Sequence, residues 1–190
     1  MSGYIRFVRP EDVRRLLEIY NQSIDTPITF EVELPSADDF LQRIKNISRD
    51  YPYIVWEMDG RVMGYAYAHR YKERSAYQWG AELSVYIDSG AVGHGGGRKL
   101  YGALIELLRL QNVKTVYGCV TAGNPASDGL HYAMGFHLAG TFKKAGFKND
   151  RWHDVYWYEK SIGAYGDVPE PFISLRDVDA EKIIASGILG

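Results

Sequence analysis

The chain has 190 residues, 46% hydrophobic and 24% charged, with a formal net charge of −2. That size suits one domain around a single core, and the balance of charge, without a basic arm, argues against nucleic acid as a partner. No stretch of ~18 apolar residues and no charged-then-apolar leader is visible, so no membrane partner is expected and the cytoplasm is the default location.

In chain order, residues 4–9 alternate like a short strand. Pro10-Glu11-Asp12 then opens a helix predicted to run to about Ser23, with proline and acids in its first turn. Thr26-Pro27-Ile28-Thr29-Phe30 is a loop richer in apolar residues than a plain connector needs. Ser36 with Asp39 marks a second helix start, and Phe40, Ile44 and Ile47 its buried face. Strands over 53–58 and 62–70 flank Asp59-Gly60, a two-residue hairpin signal.

Next comes an alternating run, with Leu83, Val85 and Ile87 on one face and Glu82, Ser84 and Tyr86 on the other. It leads into a loop rich in glycine and then a helix whose stripe is Leu100, Leu104, Leu107 and Leu108. A strand over 115–120, a helix over 124–134 ended by Gly135, and a strand pair over 136–142 and 152–159 around residues 146–150 follow. The order β-α-α-β-β-β-α-β-α-β-β predicts an α/β fold in which helices flank a central mixed, twisted sheet. Residues 1–165 form the domain, and 166–190 an extension made of a Pro-rich linker (166–171) and a short amphipathic helix (180–188). The single cysteine, Cys119, reads as a buried small hydrophobe. Many of the fifteen tyrosines are expected in the core or in interface surface.

Glycines where a strand hands over to a helix leave N–H groups pointing outward, and with the helix dipole they suit a phosphate or pyrophosphate. Two phosphate loops are excluded. Gly97 is followed by Arg98-Lys99-Leu100 rather than the Lys-Ser/Thr of a P-loop, and a G-x-G-x-x-G from Gly93 would need glycine where Arg98 stands. A glycine-rich turn with no ligand remains the alternative. Glu82 is the lone carboxylate on the strand entering this loop, either a general base or an exposed carboxylate paired with a lysine. Ser127, His131 and Gly135 are spaced by four and share a helix face. His69, His94 and His137 lack ligand spacing, so no metal is assigned.

Gly95-Gly96-Gly97 resembles the acetyl-CoA pyrophosphate loop of the GNAT N-acetyltransferases, [QR]-x-x-G-x-[GA], except that Val92 stands at its first position. The frame Asn124-x-x-Ser127-x-x-x-His131-x-x-x-Gly135-Phe136 is similar to the family's stretch beside the CoA thiol. Lys72-Glu73-Arg74-Ser75-Ala76-Tyr77, Ala145-Gly146-Phe147-Lys148 and Trp152-His153-Asp154-Val155 resemble the phosphinothricin and methionine sulfoximine acetyltransferase branch, as do Ile19-Tyr20-Asn21 and Thr29-Phe30-Glu31. The resemblance implies the GNAT fold and an acyltransferase, an N-acetyltransferase that moves acetyl from acetyl-CoA to the α-amine of a small amino-acid-like substrate by direct attack.

Carried over, it makes Glu82 the base, and gives His131 the thioester carbonyl to polarise or the thiolate to protonate. Val85, Tyr86, Ile87, Gly93, His94, Gly95, Gly96, Gly97, Arg98, Asn124 and Ser127 would bind the cofactor. Lys72, Arg74 and Tyr77 would hold an acidic substrate with Phe30 closing the pocket, a solvated loop charge being the alternative for Lys72 and Arg74. His153 packs or orients the last strand. Val92 would cost the loop a side-chain contact to the pyrophosphate, with Arg98 or Lys99 as replacements. The runner-up substrates are another small amine or polyamine, and a catalytically weak CoA-binding protein is the rival from a different class. The aromatic last strands point to a homodimer.

Overall fold

Strong local signals set most element ends. In the computed structural model, which describes residues 3–179, Asp59 and Gly60 have φ of 52° and 75°, the left-handed pair that a two-residue hairpin turn requires. This turn joins β2 (Tyr53–Met58) to β3 (Arg61–Arg70). The Ser36 side chain accepts from Asp39 N at 3.1 Å and caps α2 (Ala37–Ser48), an arrangement typically worth ~1 kcal/mol. Pro10 opens a single 3-10 turn, Pro10–Asp12, before α1 (Val13–Ile24). The first strand is β1 (Tyr4–Phe7).

With β4 (Gly80–Ile87), β5 (Thr115–Thr121), β6 (His137–Lys148) and β7 (Arg151–Ser161), the strands form one sheet in the order β1-β2-β3-β4-β5-β7-β6. Every neighbouring pair is antiparallel except β4–β5, so the sheet is mixed, as the element order predicts. α1 and α2 cover one face. On the opposite face α3 (Gly96–Leu110) buries Leu100, Leu104, Leu107 and Leu108 completely, and α4 (Pro125–Ala133) packs beside it through Leu130. Under α1 and α2 lies a run of stacked tyrosines. Tyr53 meets Tyr67 at 4.9 Å and Tyr65 at 5.8 Å, and Tyr65 meets Tyr86 at 5.2 Å between ring centroids. Core packing thus accounts for part of the tyrosine excess.

The last hairpin corrects the sequence reading. The loop expected around residues 146–150 is strand up to Lys148, and the turn is only Asn149-Asp150, with φ of 52° and 59°. Register shifts between Leu138 and Gly140 and between Phe142 and Gly146 hide the strand from its sequence pattern. Each bulge inserts residues that break the period-2 alternation by which a strand is read. Asp154 stitches the second bulge, accepting from Lys144 N and from Lys143 Nζ, both at 2.8 Å.

The 166–171 stretch, expected as a linker, is tied to the body. Trp79 Nε1 donates to Glu170 O at 2.7 Å and Asn112 Nδ2 to Pro171 O at 2.9 Å. Phe172 stacks on Tyr51 at 5.0 Å. The buried Gln111 donates through Nε2 to Ile173 O at 2.9 Å and to Asp50 O at 2.6 Å. This strap crosses the end of the sheet at which β4 and β5 begin. The helix expected over 180–188 lies outside the described residues.

Candidate active site

Two parallel strands that part company create the site. β4 and β5 pair from Gly80↔Thr115 to Leu83↔Gly118, and there the pairing ends. β4 runs on to Ile87 beside β3, and β5 to Thr121 beside β7, so a gap opens inside a continuous sheet. Backbone groups on the facing edges of the gap are released from the ladder.

A cavity of about 450 Å³ occupies this gap. Ser23 and Ile28 bound it from the α1 side, and Tyr101, Leu130 and His131 from the side of α3 and α4. It therefore reaches both faces of the sheet. Its wall includes Val85, Tyr86, Ile87, Gly93, Gly95, Gly96, Gly97, Arg98, Asn124 and Ser127, the expected cofactor residues apart from His94, which is exposed and outside the lining.

The glycines have structural causes of their own. Gly93 and Gly95 take φ of 87° and 82°, the left-handed region. A Cβ on Gly96 would lie 2.2 Å from the Trp56 ring, so only glycine lets α3 start this close to β2. The first α-helical bond is Lys99 N to Gly95 O at 3.1 Å, and the preceding amides at the helix start have no intrahelical acceptor. They lie in the cavity wall and, with the helix dipole, give it a rim whose polarity suits an anion. Arg98 adds a cation there, whereas Val92 is 60% exposed and adds none.

His131 lies on the α3–α4 face, fully buried against β5. A Cβ on Gly118 would fall 2.1 Å from His131 Nε2, so the glycine leaves room for the imidazole at the last paired residue before the gap. The ring stacks on Tyr158 at 4.8 Å. Its Nδ1 lies 2.8 Å from Ser127 O; a carbonyl only accepts, so Nδ1 carries the proton. Nε2 is then an acceptor, 3.3 Å from the Tyr101 hydroxyl. Burial pushes the His131 pKa down, which keeps the ring neutral near neutral pH. Tyr101 belongs to no motif of the sequence. Its signal is a hydroxyl next to Leu100 on the buried stripe of α3, and burial raises its pKa well above the usual range.

Glu82 points to the opposite face, the one that carries Ser84 and Tyr86. Its cross-strand partners are His69 on β3 and Tyr117 on β5, and His69 Nε2 stands 3.9 Å from Glu82 Oε1. Burial raises the Glu82 pKa, with the His69 charge pulling it back. Cys119, expected to be buried, is exposed at the gap: past Gly118 no β4 strand covers β5. The surrounding protein still pushes its thiol up to about 12, with help from the Glu82 charge.

The expected substrate residues flank this face at a distance from the main cavity. Tyr117 stacks on Tyr71 at 4.1 Å, and Lys72 Nζ lies over the Tyr71 and Tyr77 rings at 5.0 and 5.1 Å. Lys72 and Arg74 are exposed. Tyr77 lines a second cavity of about 210 Å³ with Tyr71, Tyr117, Trp79 and, from the strap side, Tyr165. Phe30 stands near the tip of the last hairpin, its ring 6.1 Å from that of His153. His153 Nε2 donates to Lys148 O at 2.9 Å, a packing and orienting bond.

Residues 5–157 match the model of the acetyltransferase (GNAT) domain family. The chain is 38% identical over 170 residues to a phosphinothricin N-acetyltransferase of Alcaligenes faecalis, covering 88% of this chain and 86% of that one. It is 30% identical to an L-methionine sulfoximine/L-methionine sulfone acetyltransferase of Pseudomonas aeruginosa, covering 89% of this chain and all of the other. Among solved structures, a GNAT phosphinothricin acetyltransferase from Sinorhizobium meliloti in complex with acetyl-CoA superposes with a TM-score of 0.84 at 32% identity, over 90% of this chain and 94% of that one. With the split sheet and the glycine-opened helix, these similarities establish that the chain is an N-acetyltransferase of the GNAT family, in the branch of the phosphinothricin and methionine sulfoximine enzymes.

Proposed function

We propose that the enzyme acetylates the α-amine of a small, acidic amino-acid-like substrate such as phosphinothricin or methionine sulfoximine. The observation that carries this reading is the cavity through the sheet, lined by the Tyr101–His131 pair on one face, with Glu82 on the other face of the sheet, outside the lining and one residue before Leu83 at its edge. Acetyl-CoA enters along the α3–α4 face. Its pyrophosphate rests on the amides at the start of α3 with Arg98 beside them, and its amides meet the released edges of β4 and β5. Asn124 and Ser127 border the thiol end. The acetyl group projects through the gap toward Glu82.

The amine arrives from the Glu82 face. Lys72 and Arg74 hold its acidic groups, with Tyr77 and Phe30 as walls. Glu82, made more basic by burial, takes the ammonium proton through a water, and the free amine attacks the thioester carbonyl directly. Cys119 is no acyl carrier in this reading, because a thiol pushed up to about 12 stays protonated at neutral pH. On the far side the tetrahedral intermediate, its nitrogen losing a second proton to solvent, collapses and expels the CoA thiolate. The Nδ1 proton of His131 is committed to Ser127 O, so the hydroxyl of Tyr101, oriented by Nε2, swings to donate to the leaving sulfur.

A cytoplasmic homodimer completes the reading. Exposed Phe142, Phe147 and Trp152 on the last hairpin support a self-association surface. The decisive experiment follows thiol release from acetyl-CoA across phosphinothricin, methionine sulfoximine, common amino acids and polyamines. Turnover confined to the amino-acid analogues is expected. Turnover of polyamines alone would move the substrate class, and acetyl-CoA binding without release would leave a binding protein.

A further inference from the structure

Lys148 closes β6 and is only 6% exposed. Its ammonium donates to three backbone carbonyls, Ile24 O at 2.6 Å and Thr29 O and Glu31 O at 2.7 Å each. An ammonium has three protons, so each has an acceptor. Burial pulls the Lys148 pKa below the usual lysine range, while Asp25 and Glu31 draw it back. Ile24 is the last residue of α1, and Thr29 and Glu31 lie in the connection that follows it toward α2. Phe30 lies between two of them.

The same hairpin tip grips the segment elsewhere. Asn149 Nδ2 donates to Asp25 O at 3.0 Å, and Phe30 lies against Gly146, where a Cβ would come within 2.5 Å of its ring. The Tyr20 hydroxyl and Thr29 Oγ1 are 2.8 Å apart, tying the segment to α1 as well. An apolar side chain would pack the hairpin against the connection at less desolvation cost than a cation held by neutral carbonyls alone. What the ammonium adds is direction: three charge-assisted bonds fix the backbone on both sides of one aromatic residue.

We propose that Lys148 is a positioning residue that holds Phe30 over the amine site and thereby sets the affinity for the amine substrate. The inference rests on the reading of Phe30 as a wall of that site. A double-mutant cycle of Lys148→Met and Phe30→Ala, assayed with acetyl-CoA and phosphinothricin, tests it. Lys148→Met should raise KM for phosphinothricin roughly tenfold, the scale of one lost charge-assisted bond, with kcat changed less than about twofold and KM for acetyl-CoA unchanged. In the Phe30→Ala background the same substitution should add almost nothing.

An equal rise in KM with and without Phe30, or none in either, overturns the proposal. A wild-type KM in Phe30→Ala overturns it differently, by removing Phe30 from the amine site. Hydrogen exchange in the acetyl-CoA-loaded protein needs no amine: amides of 24–31 should exchange at least about tenfold faster in Lys148→Met, and unchanged protection denies the clamp whatever the substrate. If Lys148→Met does not fold, Lys148→Gln, which keeps two N–H donors, goes through the same cycle with smaller effects of the same sign.

Discussion

The two faces of the sheet at the gap are built on opposite terms. On the α3–α4 face the polar groups are committed to one another: His131 bonds Ser127 O, Tyr101 reaches His131, and Tyr158 donates to Asp128 Oδ1 at 2.8 Å. Rings fill the space between. On the other face the ion-pair partner of Glu82 among the described residues is His69 at 3.9 Å, Cys119 is exposed, and so are Arg74 and Lys72, the latter against the Tyr71 and Tyr77 rings. The committed face suits a cofactor of fixed shape, and the uncommitted face suits an amine whose identity can vary. Relatives named for phosphinothricin and for methionine sulfoximine fit such a division.

The comparison breaks most decisively at Glu82. Glu82→Gln should lower kcat by ~10²–10⁴-fold while acetyl-CoA binding survives, because the change removes a proton acceptor on the open face only. The same variant should be more stable than the wild type at pH 7. The folded-state pKa of Glu82 is raised from 4.5 by burial, so folding favours the protonated carboxyl. The stability this gives is present below pH 4.5 and is lost as pH rises through the raised value. Glutamine never ionises and never loses it. Thermal melts from pH 4 to 8 check this, and a wild type more stable than Glu82→Gln at pH 7 would mean that the carboxylate is held by a partner.

On the committed face the effect should be structural and smaller. Gly118→Ala forces a methyl into the His131 ring, and overpacking of this kind costs ~1–3 kcal/mol. Urea denaturation measures the loss, and a rise in KM for acetyl-CoA should accompany it as the ring moves. Wild-type values for both would show that the ring can swing aside. The smallest effect belongs to the loop charges. Arg74→Ala should raise KM for an acidic amino-acid substrate roughly fivefold with kcat little changed, the scale of ~1 kcal/mol for an exposed cation. Equal KM values would return Arg74 to solvent.

Much of the local structure is legible in the residues. Asp59-Gly60, Ser36 with Asp39, and the leucine stripe of α3 declare themselves because their causes lie within a few positions of each other. The face on which each catalytic candidate stands is not legible. Glu82 and His131 come from motifs that both point to the thioester, yet the sheet separates them, because which side of β5 receives α4 is a tertiary choice. Gly118 looks in sequence like a weak point in a strand, and its purpose appears only with His131 against it. Cys119 reads in sequence as a buried small hydrophobe. The end of the β4 pairing, a non-local event, exposes it.

The strap has a consequence for the order of folding. Synthesis runs from the N-terminus, so residues 170–173 emerge after their partners, Trp79, Gln111 and Asn112, are already off the ribosome. A nascent chain stopped at residue 165 would hold the whole sheet and every group around the gap. It would also leave one N–H of the buried Gln111 amide without its Ile173 acceptor and the Tyr51 ring without its Phe172 cover. Contacts that span more than ninety residues form slowly, and this one is a latch that closes on a cleft already shaped.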